Sequence, residues 1–242
     1  MTSTPRRICH WTASPTQPAQ HHNGALYSDP RIGAYLGMGR HQMPGNVWWR
    51  TWRELPPAAP FADCKKTDPD FSFQGQWPMG GKWTTVTDPQ SHTKFPLWEG
   101  HYTDPGSHLK YMPVFAGGMF EALMADQVVP ETSWGPHGFG LADKRIVEVQ
   151  ARYTRDQLKL PVWGRSPSSI ADDSGDYAGY GVEGLTFPFH GAGATQAHPN
   201  KGFSQCHDCA TETVVSPHAS FIALDSAPGW RTQTSPAAAA LR

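Results

Sequence analysis

The chain has 242 residues, with 21 acidic and 20 basic side chains, and only 17% of its residues are charged. A chain of this length can bury a substantial core in one large domain. The charge is nearly balanced, and no stretch concentrates Lys or Arg between aromatics, which argues against nucleic acid or an anionic membrane surface as a partner. No apolar run approaches the roughly 20 residues needed to cross a bilayer, so we predict no membrane span.

Aromatic residues and histidine are abundant, with ten Trp, seven Tyr, eleven Phe and twelve His. Aromatic faces beside polar loops suit sugar rings, whose C–H faces stack on them, although large aromatic side chains also fill ordinary cores. The composition is therefore compatible with a carbohydrate ligand.

Three regions are predicted along the chain. Residues 1–27 are polar and rich in Pro and His, without the apolar stretch of an export signal, and are expected to form a disordered leader. Residues 28–228 form one domain, and residues 229–242 form a disordered tail. The sequence leaves the cellular compartment open.

The domain begins with a helix predicted over "DPRIGAYLGMGRHQ", where Asp29 is a plausible cap and Pro30 takes the first helical position. A long segment rich in Pro, Gly and Trp follows, in which "KWTTVTD" and "FPLWEGHYT" are candidate short strands.

Apolar residues at helical spacing predict three further helices, at about 117–129, 143–158 and 217–225. The first of them holds Glu121 on the shoulder of its apolar face, one turn after Gly117. We expect the three helices to pack side by side, with the long connecting loops gathered at one end.

Several segments, in their order along the chain, resemble the glucoamylase-like family, which includes endo-β-1,2-glucanases and the related domain of cyclic β-1,2-glucan synthases. The most specific are "GGMFEALM", the Trp-Gly-x-Ser segment at Trp163 with the Gly-Tyr pair at Tyr180, and "SPHASF". The resemblance covers roughly residues 30–228. It implies a mainly α fold, an (α/α) barrel of six helical hairpins with a glycan cleft at one end.

Members of that family extend further at both ends than this chain does. The resemblance therefore implies a partial barrel, with long irregular loops and a few short strands. An incomplete barrel would leave an apolar flank uncovered, and such a flank normally marks an interface. We expect self-association or a partner protein at that flank.

The resemblance also implies a glycoside hydrolase that acts on a β-glucan, with Glu121 as general acid, because Glu121 matches the Glu of the family's Met-Phe-Glu segment. Apolar surroundings would raise the pKa of such a carboxyl group. Alternatively, Glu121 interacts favourably with the helix N-terminus or pairs with an Arg. Glycoside hydrolysis needs a second carboxylate, and the candidates are Glu99, Asp173 and Asp176.

Six further side chains are expected to contact an oligo- or polysaccharide: Trp98, Trp134, Trp163, Tyr177, Tyr180 and His218. For His218, a purely structural role at the helix start is the alternative. The whole protein also has an alternative function, as a non-catalytic carbohydrate-binding or assembly protein that keeps the aromatic cleft but not the acid pair.

Two segments mimic metal sites. Four side chains fall at the first, third, fifth and twelfth places of a calcium loop: Asp172, Ser174, Asp176 and Glu183. Tyr177, however, occupies the place that needs Gly for the sharp turn. The pair Cys206 and Cys209 lacks a second pair at ligand spacing, so a disulfide involving Cys64 or unremarkable thiols are alternatives to zinc. No phosphate-binding or dinucleotide motif is present, and we predict no metal and no cofactor.

Overall fold

The structure, a computed structural model, describes residues 26–27, 30–51, 80–104, 106–112, 114, 117–169, 177–178, 180–182 and 214–229. In these residues, helices α1 to α6 span Pro30–Gly39, Val47–Arg50, Met119–Leu123, Glu131–Trp134, Phe139–Arg152 and Pro217–Ser226. Helix α5 continues into a π-helical turn at Tyr153–Gln157. Strands β1 to β5 span Gly80–Thr87, Lys94–Thr103, Lys110–Tyr111, Ser168–Ser169 and Tyr177–Ala178.

The predicted mainly α fold, a partial barrel of helical hairpins, is wrong. Helices account for only 43% of the described residues, and an antiparallel sheet packs beside them. A helical hairpin needs two long helices. Among the described helices, α2 and α4 have four residues each, and only α5, with 14 residues, exceeds ten. Gly and Pro bound some of these helices, as at α4, which lies between Pro130 and Gly135, because both residues destabilise a helix interior.

Without a barrel, the predicted open flank has no counterpart in the described part of the chain. Self-association therefore stays a prediction, and the open flank from which it was inferred does not support it. No described helix is long and apolar enough to cross a membrane.

Strands β1, β2 and β3 form an antiparallel sheet in that order, which confirms both candidate strands of the Trp-rich segment. Strands β1 and β2 pair from Gly80 opposite His101 to Thr87 opposite Lys94. The turn between them is closed by the Asp88 carboxylate, which accepts hydrogen bonds from the backbone N–H groups that follow it. Strands β4 and β5 form a separate two-stranded ladder.

The helices predicted from apolar spacing are present with different bounds. Helix α1 begins at Pro30 as expected, α3 ends at Leu123 rather than near residue 129, and α5 begins at Phe139. Helices α3, α5 and α6 are in mutual contact. Their buried apolar residues form the centre of the core: Met119, Ala122, Leu123, Ile146, Val147, Ala219 and Ala223. Leu26 and Tyr27, the last residues of the segment assigned to a leader, are buried as well.

A glycine sets the distance between α4 and α5. A Cβ atom at Gly140 would lie 2.5 Å from the backbone oxygen of Glu131 and 2.6 Å from the Cα atom of Thr132. Both neighbours are backbone atoms, which cannot move aside without shifting α4. Only glycine allows this close approach of the two helices.

We therefore predict that Gly140→Ala lowers the free energy of unfolding by about 3 kcal/mol, because the added methyl group overpacks the crossing. Gly33→Ala is the matched control, since nothing lies within 4 Å of a Cβ atom at that position in α1. The control should stabilise the protein by about 0.5–1 kcal/mol, the helix preference for Ala over Gly. Urea denaturation of both variants measures the difference. Equal free energies of unfolding for the two variants would contradict the close approach of α4 and α5.

Candidate functional site

A buried ionic cluster lies where α1, α4 and α5 meet. It is called the Arg31 cluster here and consists of Tyr27, Arg31, Tyr35, Asp126, Glu131 and Asp143. The side chains of Arg31 and Asp143 have no exposed surface, and that of Glu131 is 2% exposed. Charges so deeply buried must be paired or neutralised, because their transfer from water costs several kcal/mol per ion.

The centre of the cluster is a bidentate ion pair. Arg31 donates from Nε to Glu131 Oε1 at 2.9 Å and from Nη2 to Glu131 Oε2 at 2.8 Å. It also donates to the backbone carbonyl groups of Glu121 and Ala122, which ties α1 to α3. The Tyr35 hydroxyl donates to Glu131 Oε1 at 2.5 Å. Burial raises the pKa of Tyr35, and this hydrogen bond raises it further. Both oxygens of Glu131 are thereby engaged by Arg31, and one of them also by Tyr35.

Asp143 is the second buried acid. Its Oδ1 atom accepts a hydrogen bond of 2.7 Å from the Tyr27 hydroxyl and lies 3.6 Å from Arg31 Nη2. Burial raises the pKa of Asp143 to about 8, against the attraction of Arg31. Burial therefore favours the protonated form of this carboxyl group, beside the ion pair of Arg31 and Glu131.

Asp126 connects the cluster to helix α6. Its oxygens accept hydrogen bonds from the backbone and hydroxyl groups of Thr132, both at 3.0 Å, and from the Ser226 hydroxyl at 2.7 Å. Carboxylate oxygens of Asp126, Glu131 and Asp143 all lie within 4.8 Å of one another, a spacing that suits a cation. Arg31 already takes that role, because its guanidinium group binds both oxygens of Glu131.

Next to the cluster is a cleft of about 950 Å³, between one face of the β1–β3 sheet and helices α2, α4 and α5. Six aromatic side chains line it: Tyr35, Trp48, Trp49, Tyr111, Trp134 and Phe139. Tyr35 and Glu131 of the Arg31 cluster are among the lining residues, so the cluster borders the cleft. Trp134 is 76% exposed, although it belongs to the wall of a concave site.

The polar side of the cleft comes from the sheet. Lys82 lies opposite Glu99 in the β1–β2 register, and the Lys82 Nζ atom is 3.5 Å from Glu99 Oε2. Side chains two residues apart on a strand share a face, so His101 lies on the same face as Glu99. Thr103 pairs with Lys110 of β3, which extends this polar face to the third strand. All four of these ionisable side chains line the cleft.

Of the residues predicted to form a sugar site, Glu99 and Trp134 line the cleft. Glu121 lies in the first turn of α3 and is half-buried, and its side chain is not in the lining. Its backbone carbonyl accepts a hydrogen bond from Arg31, so the segment around it packs against the cluster. Asp173 and Asp176 lie outside the described residues, as do the other calcium-loop acids and all four cysteines. The role of Glu121 as general acid stays a prediction.

The remaining predicted residues are spread over the molecule. Trp163 and Tyr180 are buried and do not line the cleft. The Arg165 guanidinium group lies 5.5 Å from the centre of the Tyr180 ring, which makes this a packed core contact. His218 is exposed at the start of α6, with its ring edge-on to that of Phe120.

Two predicted residues are described only by their backbone. Trp98 lies in β2 opposite Trp83, and Tyr177 lies in β5 opposite Ser169. Their expected sugar contacts stay predictions.

Arg31, Glu131 and Asp143 were missed by the sequence analysis, although a signal for Asp143 exists. Asp143 precedes Ile146 by three residues and Val147 by four, and both of these are fully buried. A carboxyl group on the apolar face of a helix indicates a buried partner.

We predict that Asp143→Asn changes how stability depends on pH. The folded-state pKa of Asp143 is about 8, and the ordinary value for Asp is near 4, so the folded protein binds an extra proton between these limits. The free energy of unfolding of the native protein should therefore fall as pH rises from about 5 to 8, by up to about 1.4 kcal/mol per pH unit. Asn keeps the acceptor for Tyr27 but cannot ionise, so the variant lacks this loss.

Urea denaturation at several pH values measures the effect, which should appear as a growing advantage of Asp143→Asn over the native protein. Asp156→Asn is the control, because Asp156 is an exposed acid whose pKa is lowered by its hydrogen bond to Arg155. It should differ from the native protein by a constant amount in this window. Parallel curves for Asp143→Asn would refute a protonated Asp143.

Comparison of the chain with models of known protein families, with curated proteins and with solved structures found no match. The geometry of the cleft is therefore the basis on which a function can be assigned.

Proposed function

We propose that the protein binds an oligo- or polysaccharide in the cleft between the β1–β3 sheet and helices α2, α4 and α5. The observation that supports this proposal is the exposed Trp134 ring on the wall of an aromatic-lined cleft of about 950 Å³. A volume of this order is typical of ligand sites. Exposed aromatic surface in a concave site is costly without a ligand, and sugar rings stack on such surfaces through their C–H faces.

The opposite wall supplies the polar contacts that a sugar needs. Glu99 offers acceptors for hydroxyl groups, Lys82 offers donors, and His101 offers both. His137, in the loop between α4 and α5, adds a further donor or acceptor. A polysaccharide with one apolar and one hydroxylated edge fits between such walls. Within the described residues, the combination of aromatic and polar side chains in the lining favours carbohydrate over a purely apolar ligand.

Binding has more support from the geometry than hydrolysis does. Glu99 and Glu131 are the two carboxylates in the described lining of the cleft. Both oxygens of Glu131 accept hydrogen bonds from Arg31, and one also accepts from Tyr35, so Glu131 cannot give a proton to a glycosidic oxygen without breaking the cluster. The resemblance to the glucoamylase-like family nevertheless favours a β-glucan as the first ligand to test, and a glycoside hydrolase activity with Glu121 as proton donor is tested beside it.

Trp134→Ala should weaken binding of a β-gluco-oligosaccharide about tenfold, because it removes the stacking surface. Isothermal titration calorimetry measures the affinity. Trp83→Ala is the matched control: Trp83 is also partly exposed, but it lies next to Lys82 on β1 and so belongs to the other face of the sheet, outside the cleft lining. Its affinity should equal that of the native protein. An equal loss in both variants, or no binding by the native protein, would argue against the cleft.

Hydrolysis is tested by assaying release of reducing ends with the same oligosaccharide. If Glu121 is a general acid, Glu121→Gln should lower turnover by orders of magnitude and still bind the glycan. Turnover by the native protein that survives in Glu121→Gln would remove Glu121 from the mechanism. Absence of turnover in both proteins would leave binding as the function.

A further inference from the structure

The cleft carries an excess of positive charge. Lys82, Lys110 and Arg145 line it, against the two acids Glu99 and Glu131. The charge of Glu131 is balanced from behind by Arg31, and Glu99 lies within 3.5 Å of Lys82. Asp126 and Asp143, the other acids of the Arg31 cluster, are not in the lining.

Lys110 and Arg145 are therefore the cations whose charge is not balanced within the cleft. Arg145 Nη1 donates a hydrogen bond of 2.7 Å to the backbone oxygen of Lys110, which holds the guanidinium group of α5 beside β3. In the described part of the chain, neither residue forms a salt bridge with a carboxylate. Two cations that line the same concave site, one from the sheet and one from α5, attract an anion, because the low-dielectric walls concentrate their field.

The pKa of His101 is consistent with unbalanced positive charge in the cleft. His101 lies on the same sheet face as Lys110, and burial together with the positive charge of Lys110 lowers the pKa of His101. His137 also lines the cleft. An anion placed beside Lys110 would offset the repulsion that His101 experiences.

We infer that the glycan bound in the cleft is acidic, with a carboxylate, sulfate or phosphate substituent that binds Lys110 and Arg145 while a sugar ring stacks on the aromatic wall. This inference rests on the proposed carbohydrate binding and specifies its ligand class. A neutral glycan would remove Lys110 and Arg145 from water without supplying an anionic partner. This loss of solvation weakens the binding of a neutral glycan relative to an acidic one. An acidic glycan matches both the aromatic rings and the cations that line the cleft.

The experiment compares four probes by calorimetry: a neutral gluco-oligosaccharide, an oligo-uronate of the same length, a sulfated gluco-oligosaccharide and inorganic sulfate. At about 50 mM salt, at least one of the two acidic oligosaccharides should bind about fivefold or more tighter than the neutral one. The advantage should shrink as salt is raised to about 500 mM, since salt screens charge but not stacking. The difference between the uronate and the sulfated glycan identifies the anionic group.

Substitutions then locate the anion. Lys110→Gln and Arg145→Gln should each reduce the preference for the acidic glycan about threefold to fivefold. Lys94→Gln and Lys144→Gln are the matched controls, because these exposed lysines lie on β2 and α5 but outside the cleft lining. Both controls should keep the native preference.

The outcomes separate this inference from the proposed function. Equal or tighter binding of the neutral glycan would overturn the acidic preference and leave carbohydrate binding in place. Binding of no oligosaccharide would overturn both. Inorganic sulfate that binds as tightly as the acidic glycans would show a simple anion site and would also overturn the inference, as would an unchanged preference in both Lys110→Gln and Arg145→Gln.

Discussion

The bidentate pair between Arg31 and Glu131 is the interaction on which the described structure depends. A fully buried guanidinium group must find partners for its donors, and breaking such a pair costs about 3–5 kcal/mol because it leaves an uncompensated charge. Arg31 meets this requirement with Glu131 of α4 and with two backbone carbonyl groups of α3. Helices that are too short to be stable alone are thereby fixed relative to one another.

The same pair determines the shape of the cleft. Glu131 and Trp134 are the first and last residues of α4, so a helix held at Glu131 also holds the exposed ring. The Tyr35 hydroxyl donates to Glu131 while its ring lines the cleft and lies 5.1 Å from that of Trp48. Aromatic groups held in this way lose little freedom when a ligand binds, which favours affinity. The cluster thus acts as a positioning element for the aromatic wall.

Much of the local structure could be predicted from the sequence, because it depends on local patterns. Sequence patterns were sufficient to predict the start of α1 at Pro30, the two strands on either side of the Asp88 turn and the helix around Ile146. The prediction of a mainly α fold was wrong because it was inferred from the order of short segments shared with a family. Such segments do not determine the length of the helices between them. The Arg31 cluster was missed because its partners are about 100 residues apart in the chain. Periodicity can show that a charged residue is buried, but it cannot identify the residue that neutralises it.

A crystal structure of the protein with a bound oligosaccharide would test the central claim most directly, because it shows which surface the sugar contacts. We expect a sugar ring stacked on Trp134, with the polar face of the β1–β3 sheet opposite it and the pair between Arg31 and Glu131 intact. A sugar bound instead beside Glu121 and His218, on the surface of α3 and α6, with the aromatic cleft empty, would contradict this assignment.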